Sequence, residues 1–348
     1  MASPRRGPPT PSPRPPARGQ AQEETQTSPA PPQGGTQRGT IQGRRPGGSG
    51  RVFVVTRARP TVTKPDAAAP PIPEDLVAGT EDLYRDPVLY DFEFRDRTAD
   101  VAFYRRLTEE TGAGRIAELG AGSGRVTEAL LATSAHVLAV DRMPPMLAAL
   151  EARAAAKGVA DRLRTAHADL RAVPAPDASF DLVVSPFNVL MHLYTHRDLR
   201  DGFAEAHRLL APGGRFAFDV ELPDPEWLSW DPDVRHSITP FVHPATGERL
   251  VYSTNHTYDP ATQICHIRIY YDRPGRGHGL IHPHRPPRRP VAVFHLAHRM
   301  IHPEEIRLLA EITGFAIERH DGGFDGEPLA SGCASQVVVC RKAGGRRP

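Results

Sequence analysis

The sequence predicts an α/β fold: a doubly wound, mostly parallel sheet with an antiparallel β-hairpin insertion. Three observations predict it. From residue 115 onward, short apolar runs alternate with stretches of helical spacing, the pattern of parallel strands covered by helices on both faces. Three glycines at alternate positions, Gly120, Gly122 and Gly124, follow the first of these strands. From Pro223 to Arg299 the apolar period becomes two, the signature of antiparallel hairpins.

Residues 1–75 hold 16 of the 37 prolines, with Gly, Ser, Thr, Gln and Arg filling most of the rest. Such a composition buries too little apolar surface to offset its ordering entropy, and it reads as a disordered tail. Seven prolines in the first 16 residues exclude the amphipathic helix of an organelle signal. Helical spacing begins in Glu81–Thr111, with Val101, Phe103, Tyr104 and Leu107 on one face. Then come a strand at Arg115–Leu119, a helix at Val126–Thr133, a strand at His136–Asp141 and an Ala-rich helix at Met146–Lys157. A strand at Phe180–Ser185 precedes a helix at Leu199–Leu210, which Pro212, Gly213 and Gly214 stop before a strand at Arg215–Leu222. In the insertion, Leu250 and Tyr252, then Cys265, Ile267, Ile269 and Tyr271, alternate between turn signals at 244–247 and 259–260. A helix from Pro303 to Thr313, stopped by Gly314, and strands at Phe315–His320 and Gln336–Arg341 close the pattern.

Lys plus Arg number 43 and Asp plus Glu 41, a net charge of +2 that argues against a dedicated nucleic-acid coat. Cys265, Cys333 and Cys340 form neither a disulfide framework nor a zinc spacing, so a reduced cytoplasmic setting and no metal are expected. The longest apolar runs fall far short of the roughly 18 residues that span a bilayer. Between Asp272 and Glu304 there is no acid, while Arg273, Arg276, Arg285, Arg288 and Arg289 cluster with His278, His282 and His284. This reads as a solvated basic loop, and as the feature an RNA or other anionic partner would use.

The glycine turn carries the chemistry. Glycines let the backbone turn tightly and let a ligand lie against bare N–H groups. Dinucleotide folds favour G-x-G-x-x-G, but the sixth position here is Arg125 and the third glycine falls one residue early. Glu118 precedes the turn by two residues, which suits a ligand with a zwitterionic end and no pyrophosphate. Asp141, ending the next strand 21 residues beyond Gly120, suits a ribose diol. Asp169 and Leu170 follow the third strand, placed for an adenine amine and its ring. Ser185, Phe187, Asn188 and His192 follow the fourth, at the sheet edge where ligands of open parallel sheets bind.

Taken in order, these segments resemble the Rossmann-like (class I) S-adenosylmethionine-dependent methyltransferases, of the kind that act on small molecules. The resemblance rests on Glu118-Leu-Gly-Ala-Gly-Ser-Gly124, on 141–147, on 209–215 and on Tyr90-Asp-Phe-Glu-Phe94, where Phe94 departs from the family's second Tyr. It implies a seven-stranded sheet with an antiparallel last strand. It also implies S-adenosylmethionine as cofactor, with Gly120, Ala121, Gly122 and Gly124 under its methionine part and Glu118 at its ammonium. Asp141 would bind the ribose, Arg142 flank the adenine and Asp169 meet its amine beside Leu170. Ser185 and Phe187 would wall the sulfonium, and Tyr90 would touch the methionine end.

The expected organisation is a tail at 1–75, a methyltransferase domain at 76–222 and 300–343 with a helical lid at 76–112, and a β-rich substrate lid at 223–299. The expected function is methyl transfer to nitrogen or oxygen of a small-molecule acceptor, with Asn188 and His192 as candidate catalytic residues. Tyr252, His256, Tyr270, Phe294, His295 and Arg299 are the candidate lid contacts to substrate. The alternatives are an RNA or protein methyltransferase using the basic 273–289 loop, and a catalytically silent module that binds the same cofactor.

Overall fold

The computed structural model describes residues 80–275 and 289–343. The Pro-rich tail and most of the basic loop, including His278, His282 and His284, lie outside the described residues.

Residues 80–83 are helical, and α1 (Pro87–Phe94) and α2 (Ala99–Thr111) follow. The helical spacing over 81–111 is thus interrupted before α1 and again at 95–98. Pro87 has no N–H to continue a preceding helix, so it opens a new one, capped by the Asp86 carboxylate, which accepts from the N–H groups of Val88 and Leu89 at 3.0 Å. β1 (Arg115–Leu119), α3 (Arg125–Leu131), β2 (His136–Asp141), α4 (Pro144–Ala156), β3 (Leu163–His167), β4 (Phe180–Ser185) and α5 (His196–Leu209) then alternate. β5 spans Leu210–Glu221, earlier than its expected start, because its pairing with β4 skips across the Pro-Gly-Gly turn. After the insertion come α7 (Pro303–Ile312), β10 (Phe315–Asp321) and β11 (Ser335–Lys342).

The main sheet has the order β10-β11-β5-β4-β1-β2-β3. β1, β2, β3, β4 and β5 pair in parallel, and β11 runs antiparallel to both neighbours. This is the seven-stranded sheet the resemblance implies. Successive residues of one strand feed opposite cores, as the period of two requires. Ile116, Leu182, Val184, Ala217 and Val337 pack with Phe103 and Tyr104 of α2, while Ala117, Val183, Phe216, Phe218 and Val338 pack with Phe203 of α5. Strand order reverses between β1 and β4, and this reversal places the binding crevice of such a sheet at the carboxyl ends of those strands.

Between β5 and α7 the chain forms the short helix α6 (Pro225–Leu228) and a separate antiparallel sheet. Its strands are β6 (His236–Val242), β7 (Arg249–Asp259), β8 (Ile264–Asp272) and β9 (Ala292–Arg299), in that order. One face of this sheet packs Leu250, Ile269 and Tyr271 against Leu83 and Leu89 of the N-terminal helices. Among the described residues, no helix is long and apolar enough to cross a membrane.

Phe203 is the keystone of the α5 layer, its ring 5.4 Å from those of both Phe216 and Phe218. Phe203→Ala should destabilise the domain by about 3–5 kcal/mol, read from urea denaturation.

Candidate functional site

The carboxyl ends of β1, β2 and β4 open into a cleft of about 1100 Å³, open solvent at its mouth included. Its floor is the glycine turn. Gly120 and Gly122 have φ of +75° and +55°, the left-handed region that favours glycine. A Cβ on Gly120 would lie 2.4 Å from Val189, whereas one on Gly122 would meet nothing within 4 Å, so Gly122 leaves its space to the cleft.

The N–H groups of this turn are not bare. Gly120 and Ala121 donate to the Val140 carbonyl at 2.8 and 3.0 Å, and Gly122 donates to Asp141 Oδ2 at 2.7 Å. Asp141 Oδ1 accepts from Met143 N–H at 2.8 Å, which fixes the entry to α4. The Arg142 N–H also acts on this carboxylate, which with about four acceptor positions keeps capacity for a further donor. Gly124 (φ +92°) does not line the cleft: its bare Cα lies against Leu150, beneath α3. Ser123 donates to Asp91, which also takes the Arg153 guanidinium, and so α1 is tied to the turn and to α4.

Glu118 is 1% exposed and accepts from the Thr127 hydroxyl at 2.6 Å. Burial pushes its carboxyl up to about 8, against the opposing pull of Thr127 and Arg125. Burial also raises Asp141, opposed by its backbone hydrogen bonds. Arg125, at the position where dinucleotide folds keep a small residue, lines the cleft and is paired with the fully buried Asp100 through two bonds of 2.8 and 2.7 Å.

The opposite wall is the 186–188 loop. Phe187 and Asn188 both have positive φ (59° and 64°), a conformation that costs of order 1–3 kcal/mol per residue. Asp219 of β5 holds it: its Oδ1 accepts from Phe187 N–H at 2.9 Å and from the Tyr104 hydroxyl at 2.7 Å, and its backbone carbonyl accepts from Asn188 N–H at 3.0 Å. The Phe187 ring faces the cleft with the guanidinium groups of Arg97 and Arg125 at 4.4 and 5.2 Å.

Of the residues read from the sequence, Tyr90, Glu118, Gly120, Ala121, Gly122, Asp141, Arg142, Leu170, Phe187 and His192 meet in this cleft. Others do not. Asp169 is turned onto Arg171 in a two-bond pair of 2.9 and 2.7 Å instead of the cleft, and Arg171 also reaches Asp198. Ser185 is buried against the Leu119 carbonyl at 3.4 Å. Asn188 is a backbone clamp, its Oδ1 accepting from Glu221 N–H at 2.9 Å.

None of the six lid side chains lines the cleft. Tyr252 and Phe294 pack in the apolar layer with Leu83 and Leu89, and His256 stacks on Trp227 at 4.1 Å. Tyr270 lies under the Arg235 guanidinium at 3.7 Å, and His295 is exposed. Arg299 bonds the Tyr194 carbonyl, Gln263 and Glu305. The cleft instead takes Thr80, Glu81, Tyr84, Met143, Val189 and Tyr194, among others. Tyr84 lies in a segment too short for a period to flag, and Met143 and Val189 directly follow motifs that did mark the site. Among the described residues, no three His, Cys, Asp or Glu side chains converge as metal ligands.

With this geometry in place, the chain can be set beside known proteins. Residues 116–214, from β1 into the start of β5, match the family described as methyltransferase domain. Among curated proteins, a demethylmenaquinone methyltransferase of Thermus thermophilus is 34% identical over 137 residues, covering 39% of this chain and 56% of that protein. The chain spans about half the length of the curated relatives it matches. Among solved structures, the CcbJ methyltransferase from Streptomyces caelestis superposes with a TM-score of 0.56 at 21% identity, covering 71% of this chain and 90% of that one. CalS10, an amino pentose methyltransferase from Micromonospora echinaspora solved with S-adenosylmethionine bound, gives 0.53 at 19% identity, covering 73% and 96%. At these identities the structural likeness establishes the fold.

Burial of Glu118 has a thermodynamic consequence. Its folded pKa, about 8, lies above the ordinary 4.5, so between those values the folded state holds a proton that the unfolded state has lost. Stability from this group is therefore greatest at acid pH and falls as the pH rises through about 8. Glu118→Gln should flatten that fall in urea midpoints measured across the window without ligand.

Proposed function

We propose that the chain is an S-adenosylmethionine-dependent methyltransferase that moves a methyl group to nitrogen or oxygen of a small molecule. The observation that carries this is the charge pattern of one cleft. Glu118, whose carboxyl an arriving ammonium would ionise, and a cationic Arg125 flank the glycine turn, and the Asp141 carboxylate stands at the tip of the next strand. That set matches an amino-acid zwitterion joined to a ribose. Apolar Met143, Met146, Ala168 and Leu170 supply faces for a purine beside Arg142. The names of the curated relatives support the reaction class, and their acceptors support a small molecule.

When bound, S-adenosylmethionine supplies a methyl group on a sulfonium, already electrophilic. The protein's part is to orient, to exclude water and to take up a proton where the acceptor carries one. Orientation alone supplies roughly 7–11 kcal/mol of such a barrier. Phe187, held by Asp219, walls the reacting end, and Thr80, Glu81, Tyr84 and Tyr90 of the N-terminal segment cover the cleft, with the inserted sheet packed behind them. An ammonium arriving at Glu118 stabilises its anionic form, so binding below about pH 8 releases a proton.

Calorimetric titration of the full chain with S-adenosylhomocysteine tests this, with NAD as control. Micromolar binding is expected, and Asp141→Asn should weaken it about 10- to 100-fold through loss of charge-assisted hydrogen bonds. Absence of binding by folded protein, or equal binding of NAD, would sink the reading.

A further inference from the structure

We propose that Tyr84 and His192 form a proton relay for a neutral hydroxyl on a flat apolar acceptor, a phenol, with His298 as the positioning residue behind them; this rests on the methyltransferase reading above. The Tyr84 hydroxyl lies 3.0 Å from His192 Nε2, and both side chains line the cleft. The His298 ring meets the His192 ring edge-on at 5.1 Å, is buried, and has an Nδ1 with no hydrogen-bond partner. Nothing in cofactor binding uses these three groups.

Charge selects the acceptor class. Among the described lining residues the carboxylates are Glu81, Glu118 and Asp141. Glu81 is paired with Arg142 at 3.3 Å, and the other two are committed to the methyl donor. No carboxylate is left for a cationic amine. The lining cations, Arg125 and Arg142, are paired as well, so an anionic acceptor finds no open partner. What remains is a wall of Tyr84, Tyr90, Phe187, Val189 and Tyr194, with the phenol–imidazole pair as its polar feature. Flat apolar bodies pack on such walls, and a buried imidazole–hydroxyl pair rewards an O–H group.

The protonation states set the starting point of the relay. Burial, aided by Arg142, lowers His192 to about 4, so at physiological pH the imidazole is neutral and one ring nitrogen carries a free lone pair. Burial, with Tyr90, Tyr194 and Asp141 nearby, raises Tyr84, so the phenol keeps its proton; in the relay it donates to Nε2 of the Nδ1–H tautomer of His192. The Tyr84 oxygen can then accept from an acceptor hydroxyl. As the acceptor's oxygen–carbon bond forms and the donor's sulfur–carbon bond breaks, the acceptor's proton passes to the Tyr84 oxygen and the Tyr84 proton passes to His192 Nε2. The positive charge leaving sulfur thus reappears on the imidazole, beside the bare nitrogen of His298.

The test begins with binding. Full-length protein saturated with S-adenosylhomocysteine is titrated with 4-methylphenol and with its methyl ether, 4-methylanisole, which lacks the donor. The phenol should bind about five- to tenfold tighter, the worth of one neutral hydrogen bond, and Tyr84→Phe should erase that preference while the ether still binds. Turnover then separates proton transfer from scaffolding. His192→Gln should slow methylation of 4-methylphenol about 100-fold or more. Its loss, compared in kcat at saturating acceptor, should be much smaller on 4-nitrophenol held above its own pKa, whose anion binds more weakly but has no proton to give up. His298→Leu should show the same substrate dependence, more weakly. Equal affinity for phenol and ether in the wild type, a preference that survives Tyr84→Phe, binding of neither probe, or equal losses on both phenols in His192→Gln would each overturn the relay. Failure to bind S-adenosylhomocysteine at all would overturn the methyltransferase reading instead.

Discussion

The site depends on one carboxylate. Asp141 ends β2 and accepts from Gly122 N–H through one oxygen and from Met143 N–H through the other. The first bond fixes the glycine turn at the tip of β1, and the second fixes the start of α4. A buried charge is tolerated there because backbone N–H groups solvate it, the arrangement that makes charge-assisted bonds strong. Since backbone N–H groups leave part of its acceptor capacity free, the group that builds the floor of the cleft also remains able to bind across it.

The facing wall follows the same logic. Two consecutive non-glycine residues in left-handed conformation would not persist in an isolated chain. Asp219 gathers Phe187 N–H and the Tyr104 hydroxyl on one oxygen, and Asn188 clamps Glu221. α2, β5 and the loop after β4 are thereby locked together, and the aromatic ring of Phe187 is presented to the cleft at a fixed place. Removing any one partner leaves a buried polar group unsatisfied, which is why the network behaves as a unit.

Around these anchors, charge is largely paired off before any ligand arrives. Arg125 with Asp100, Arg142 with Glu81, and Arg171 with Asp169 leave a cleft whose polarity is concentrated at Glu118, Asp141 and the Tyr84–His192 pair. A low-dielectric cleft with a few placed polar groups discriminates by the cost of leaving them unmatched. Its contents are set by which groups stay open more than by which groups are present.

The sequence by itself determined the alternation of strands and helices, the bounds of β1, β2 and β4, the glycine turn, and the placing of Glu118 and Asp141 on either side of it. These are local matters: apolar period, allowed φ, and a carboxylate at the end of a strand. It also marked the insertion as antiparallel, because a period of two needs no knowledge of what it packs against. It did not determine which face of that sheet meets the N-terminal helices. Tyr252 and Phe294 share a face with His298, yet the first two are covered by Leu83 and Leu89 while His298 reaches His192. Tertiary structure also decided the fate of the polar residues. Asp169 finds Arg171 two positions away, Asn188 finds Glu221 N–H, and Tyr84 finds His192 across 108 positions. A side chain's role is set by the nearest partner that satisfies it, and most such partners come from segments that only the fold brings together.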